Sequence, residues 1–139
     1  MNAGTQRLVV AGPAGALECA LDLPAPHAHQ APRGLAVVCH PHPQFGGTMD
    51  NKVVQTLARA FVQCGWTAVR FNFRGVGATQ GVHDEGRGEL QDLLAVVEQV
   101  APAGDGAQPL ALARVRPGAI RHMKGSPMAK QKMLEDLFL

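Results

Sequence analysis

Apolar residues in this chain come in short runs divided by turn formers, and the period of those runs alternates between two and 3.6. Residues 6–10 and 16–23 predict two strands, joined by the turn-rich tetrad Gly12-Pro13-Ala14-Gly15. A loop with three prolines and two histidines follows, up to Gly34. Residues 35–39 (LAVVC) are a continuous apolar run, short enough for a buried strand. It stops at His40-Pro41-His42-Pro43 and reaches Gly46-Gly47. Proline has no N–H and a fixed φ, so two prolines two apart end a ladder. Next, Val53, Leu57 and Phe61, with Val54 and Ala58, recur at helical spacing; Asp50 or Asn51 is placed to cap that helix and Gly65 to close it. Residues 66–73 are rich in β-branched and aromatic side chains and predict a strand ended by Arg74-Gly75-Val76-Gly77. After a glycine-rich loop over residues 78–88, Leu90, Leu93, Leu94, Val97 and Val100 give one apolar helical face starting from Glu89. A linker over 102–108 leads to a short strand at 109–113.

Alternating strand and helix with short connections predicts an α/β fold: a mostly parallel sheet with flanking helices and an N-terminal β-hairpin. A strand that ends in a stiff, glycine-hinged loop before a helix is a common layout for a site in such sheets. At 139 residues the chain is one domain, small for an α/β enzyme. It is 46% apolar and 17% charged, the balance of a globular rather than a disordered chain. No apolar run approaches the roughly 20 residues of a membrane span, and the N-terminus lacks the apolar core of a signal peptide. Cys19, Cys39 and Cys64 are an odd set without a C-x-x-C pair, which suggests reduced thiols and a cytoplasmic location.

Charge divides the chain near residue 114. Residues 1–113 carry seven Lys/Arg and nine Asp/Glu, whereas 114–139 carry six and two, along with three of the five methionines. The basic tail has two readings. One is contact with a polyanion, against which stands the lack of interleaved aromatics. The other is a substitute ending after a truncation or frameshift, which the simultaneous change in charge and methionine content favours. Ser126-Pro127 could open a short helix over 127–138, with Met133, Leu134, Leu137 and Phe138 on its apolar side.

Two blocks, HPHPQFGGTMDNKVVQTLARAF and RFNFRGVGATQGVHDEGRGELQDL, closely resemble the small α/β-hydrolases of the dienelactone-hydrolase-like, serine esterase-like group. The resemblance covers roughly residues 5–113. It implies a Ser–His–Asp acyl-transfer site acting on small esters, lactones or similar acyl compounds, with no cofactor. It also implies that an oxyanion donor lies on the loop after the 35–39 strand. Pro41 and Pro43 have no N–H, so His42 would donate from its backbone, with Gln44 on the same loop. His40, Phe45, Gly46 and Gly47 would form the substrate loop, and Arg74, Gly75 and Gly77 would pack beside the site. Thr79 stands where relatives often carry Ser.

The 109–113 strand should then enter a nucleophile elbow, G-x-S-x-G. Here it enters Arg114-Val115-Arg116-Pro117-Gly118. Ser126 is the chain's one serine; only Asp136 follows it, and no His follows that. The family order of Ser, Asp and His cannot be assembled, so no catalytic residue is identifiable. The expectation is a partial α/β-hydrolase fold with its C-terminal part missing, inactive alone and prone to self-association through an incomplete sheet. The rival is a non-catalytic binding protein that uses the old substrate loop.

Other chemistries fit less well. His40 and His42 have H-x-H spacing, and Asp50, His83 or Asp84 could complete a metal set, but no zinc motif is present. Cys39 beside His40 reads either as a thiol with its base or as a core cysteine. Gly75-x-Gly77-x-x-x-Gly81 misses the dinucleotide spacing by one residue. Asp84-Glu85 reads as a solvated turn or helix entry.

Overall fold

A computed structural model describes residues 4–25, 31–41, 47–101, 109–114 and the backbone of 120–123. The elements are β1 (Thr5–Gly12), β2 (Gly15–Asp22), β3 (Leu35–Cys39), α1 (Lys52–Gln63), β4 (Thr67–Phe71), α2 (Arg87–Val100), β5 (Leu110–Arg114) and β6 (Ile120–Met123). The strands form one sheet in the order β1-β2-β4-β3-β5-β6. Its centre is parallel, with β3 between β4 and β5, and the hairpin joins it antiparallel through β2 and β4. The sheet is thus mixed around a parallel core.

Period-two alternation in the central strands sends successive side chains to opposite faces. On one face Val37, Cys39, Val69, Phe71 and Leu112 pack with Leu90, Leu93 and Val96 of α2. On the other, Val38 and Ala68 pack with Val54 and Ala58 of α1. The two helices therefore cover opposite faces, as the family resemblance implies. Each fully buried Leu or Val on these faces contributes roughly 1.5–3 kcal/mol of transfer free energy.

Helix α1 starts where the cap signal places it. The Asn51 side chain accepts from the N–H groups of Val53 at 2.9 Å and Val54 at 3.4 Å. Gly65 follows the helix with φ +89°, a conformation that costs a residue bearing Cβ. Helix α2 starts two residues earlier than the apolar spacing indicates, at Arg87. Glu89 folds back to accept from the N–H groups of Gly86 and Asp84, both at 3.0 Å, and so satisfies donors that open the helix. Asp84 and Glu85 are exposed in this turn.

β4 is shorter at both ends than its sequence pattern, and β5 runs one residue further, to Arg114. β6, antiparallel to β5, lies in a stretch for which the sequence predicts no strand. The helix expected over 127–138 lies outside the described residues.

Candidate functional site

In register, Cys39 at the end of β3 stands beside Phe71 of β4 and Arg114 of β5. The connections leaving these three strands therefore begin side by side at the carboxyl edge of the parallel core, where open α/β sheets place their ligands.

His40, the first residue beyond β3, is fully buried. Its Nε2 accepts the Phe73 N–H at 3.1 Å, which leaves the ring proton on Nδ1 to donate to the Pro41 carbonyl at 2.6 Å. Both nitrogens are therefore engaged by main chain in the neutral tautomer. Burial, with a smaller contribution from the nearby Arg114 charge, holds the imidazole below its ordinary value of 6.5, while the bond to Pro41 opposes the shift. The Phe73 ring meets it edge-on at 4.9 Å. The resemblance puts His40 on the substrate loop; its geometry makes it a clasp between the β3 and β4 exits.

Asn72, directly after β4, makes four hydrogen bonds to three residues. Its backbone N–H donates to the Glu18 carbonyl at 3.0 Å, and its carbonyl accepts from the Thr79 hydroxyl at 2.7 Å. Its side-chain amide donates to the Glu18 carboxylate at 2.8 Å, and its side-chain oxygen accepts the Met49 N–H at 2.8 Å. The same Glu18 oxygen accepts from Ala78 N–H at 2.8 Å. Thr79 completes the circuit by accepting from the Glu18 N–H at 2.9 Å. Gly77 has φ +54°, and a Cβ there would stand 2.5 Å from the Asn72 amide and 2.8 Å from the Glu18 carboxylate. That turn thus requires glycine.

Arg70, two residues before Asn72 on the same face, is also buried. It donates to the Met49 carbonyl at 2.8 Å and lies 3.4 Å from Asp50 and 3.5 Å from Asp22. Asp22 in turn accepts from the Thr5 hydroxyl. Met49 is thus held through both its N–H and its carbonyl.

The partner of Arg74 is Asp92 of α2. Two guanidinium donors reach the Asp92 carboxylate at 2.8 and 3.1 Å, and the Arg74 N–H adds a third bond at 3.0 Å. The hydrogen bonds to Asp92 raise the already high Arg74 pKa. Gly88 leaves the space for this guanidinium, since a Cβ there would fall on it. Gly75, φ +80°, turns the chain between Arg74 and this network.

His42, Gln44, Phe45 and Gly46 lie outside the described residues, and Gly47 is buried at the far side of the same connection. Near the carboxyl edge of the parallel core, neither Cys39 nor Thr79 is placed as a nucleophile with a base. Burial pushes the Cys39 thiol up to about 12, and burial with the Glu18 charge does the same for Cys19. The core reading of Cys39 holds. The Thr79 hydroxyl is engaged both as donor and as acceptor. Among the described residues no group of three or more His, Cys, Asp or Glu is placed to hold a metal, and no helix is long and apolar enough to cross a membrane.

Glu18 lies outside both family-like blocks, and Arg70, Asn72 and Asp92 lie inside the second one without any of them being singled out there. A weaker signal is there for two of them. In TAVRFNF the polar residues at 70 and 72 continue the face of Ala68, while 69, 71 and 73 are apolar. Two polar side chains on one face of a central strand must find partners.

No family model matches the chain. Among solved structures it is similar to an α/β serine hydrolase without a lid from Xanthomonas campestris: 44% identity, TM-score 0.71, over 82% of this chain and 51% of that one. It is also similar to an α/β serine hydrolase homologue from Coxiella burnetii, at 42% identity and TM-score 0.67, over 78% of this chain and 50% of that one. An uncharacterized protein of Rickettsia prowazekii is 43% identical over 74 residues, which is 53% of this chain and 31% of that protein. The chain spans about half the length of the solved hydrolases it matches.

Proposed function

Because the chain belongs to the α/β serine hydrolase superfamily, we propose that it carries the scaffold and oxyanion-loop half of an acyl-hydrolase site without the nucleophile. The observation that supports this reading is the end of β5. This central strand, parallel to β3, leads into Arg114-Val115-Arg116-Pro117-Gly118, and Ser126 is the single serine of the whole sequence. An acyl enzyme needs a nucleophile with its base in reach. The buried thiols and the doubly bonded Thr79 do not supply one.

In this reading the backbone N–H of His42 is the oxyanion donor, with Gln44 beside it, and Phe45, Gly46 and Gly47 border the acyl group of a small ester or lactone. Arg74, Gly75 and Gly77 support the loop from the β4 side. Residues 1–113 are the hydrolase portion and 114–139 a segment outside the family pattern. The unpaired cysteines favour a cytoplasmic location, and the partial sheet favours self-association.

The test is a fluorophosphonate probe together with p-nitrophenyl acetate turnover. The expected result is no serine labelling and no burst of nitrophenol. A labelled Ser126, or a stoichiometric burst, refutes the reading. Mixing the chain with the C-terminal half of the Xanthomonas campestris hydrolase should restore labelling, on the serine of that half. If the two halves form no complex on gel filtration, the complementary-half role is lost.

A further inference from the structure

β1 is an outer strand of the sheet, paired with β2 on one side. Which of its residues turn their backbone outward follows from the partners of β2. Ala16 and Glu18 bond away from β1: Ala16 exchanges bonds with Gln80, and Glu18 bonds Asn72 and Thr79. In an antiparallel ladder, opposed residues alternate between pairs that bond each other and pairs that bond outward. Ala11 opposite Ala16 and Val9 opposite Glu18 are therefore outward pairs, so the N–H and C=O groups of Val9 and Ala11 face the open edge. The Val9 side chain is also 71% exposed. Such an edge is a template on which another chain can add a strand.

Helix α2 packs over β1 through the core layer that contains Val10 and Val96, and its last turn reaches this edge. There the Gln99 side-chain amide meets the Ala11 backbone with both of its polar atoms. Nε2 donates to the Ala11 carbonyl at 2.6 Å, and Oε1 accepts the Ala11 N–H at 3.3 Å. These are the two bonds a neighbouring strand would make with an outward residue, supplied by a side chain in place of a peptide group.

We propose that Gln99 guards the β1 edge as a one-residue substitute strand, and that the partner it excludes is β1 of a second copy of this chain. Two features of β1 fit a second copy. Antiparallel pairing about a two-fold axis at Val9 sets the two exposed valines against each other, a favourable cross-strand pair. The same register sets Arg7, the one charged residue of β1, opposite Ala11 and not opposite the other Arg7. With Gln99 in place this register is blocked at Ala11 in both copies, and the bonded pair left at Val9 is shorter than any ordinary strand. The guard is independent of the acyl-hydrolase reading, and it directs any self-association of the native chain to another surface.

Gln99→Ala removes the amide and keeps a strong helix former in α2. In sedimentation velocity over a concentration series, this variant should associate at a concentration at least about tenfold lower than the native chain. Amide exchange locates the contact. In the native chain the Ala11 amide should be protected relative to Val9. In dilute Gln99→Ala that protection should be lost, and on concentration Ala11 and Val9 should become protected together. Gln99→Ala combined with Val9→Pro removes an outward N–H, which an edge strand tolerates, and should restore native sedimentation. Val9→Lys serves the same purpose through charge if the proline variant does not fold. Unchanged association in Gln99→Ala overturns the proposal, as does association that neither Val9 variant reverses. So does an unprotected Ala11 amide, or concentration-dependent protection of Val9, in the native chain.

Discussion

At His40 a proton can be added only by breaking a hydrogen bond, because Nδ1 already donates to Pro41 and Nε2 already accepts from Phe73. The unfolded imidazole takes up a proton near its ordinary value of 6.5, while the folded one resists. The unfolded state therefore binds more protons below that pH, and stability is present above about 6.5 and declines as the pH falls through the window beneath it. Urea unfolding between pH 7.5 and 5 should show the decline. His40→Gln, whose side-chain oxygen can accept in the Nε2 position, should flatten it. An unchanged slope in His40→Gln would assign the effect to other groups. The cysteines make a second residue-scale case. With Cys19 and Cys39 pushed up to about 12 and buried, a disulfide reagent at pH 8 should modify Cys64 alone in the folded chain. More than one thiol titrated without denaturant contradicts this. Asp92 is the third. It is fully buried and neutralised by Arg74, so Asp92→Ala leaves a largely desolvated cation and should cost about 3–5 kcal/mol in unfolding free energy.

At the scale of elements, the helices are legible because amphipathic spacing and capping chemistry are local. The cap is readable to within one residue, Asp50 or Asn51, and the structure makes it Asn51, so Asn51→Ala should cost about 1 kcal/mol in thermal or urea unfolding. The start of α2 is less legible, since Glu89 sets it by turning back onto Gly86 and Asp84 rather than by facing the core. Gly88 shows how local propensity misleads. Alanine is favoured over glycine within a helix by roughly 1 kcal/mol, yet a Cβ at 88 falls on the Arg74 guanidinium. Gly88→Ala should therefore lower the melting temperature, and combining it with Arg74→Ala should remove most of the additional penalty. β6 leaves no pattern to read, being four residues of mixed polarity, IRHM, in a basic segment.

For the whole molecule, alternating strands and helices are enough to indicate a parallel core, but not where the hairpin docks. β2 lies antiparallel against β4, which makes the sheet mixed, and that placement depends on pairings between distant residues such as Cys19 with Phe71. The candidate site is obscure for the same reason. Its polar circuit joins Glu18, Met49, Asn72 and Thr79, residues with no shared local pattern, and only the closed sheet brings them together. The missing elbow, by contrast, is plain in the sequence, because it is a property of a short, contiguous motif.

The two layers that sandwich the sheet are unequal, and this has a bearing on how the molecule comes apart. Among the described residues, the packed cluster on the α2 side includes large side chains such as Phe71, Phe73, Leu93 and Leu112, whereas the strands present mostly small ones to α1, Ala20, Ala36, Ala68, Ala111 and Ala113 around Val38. Regions with less buried apolar surface open at lower free energy than the global transition. Of the two helices, α1 is therefore the one that detaches first, leaving the sheet and α2 as a residual folding unit. A protease at low concentration would nick the chain within α1 before α2, and the surviving fragments would stay associated through the sheet.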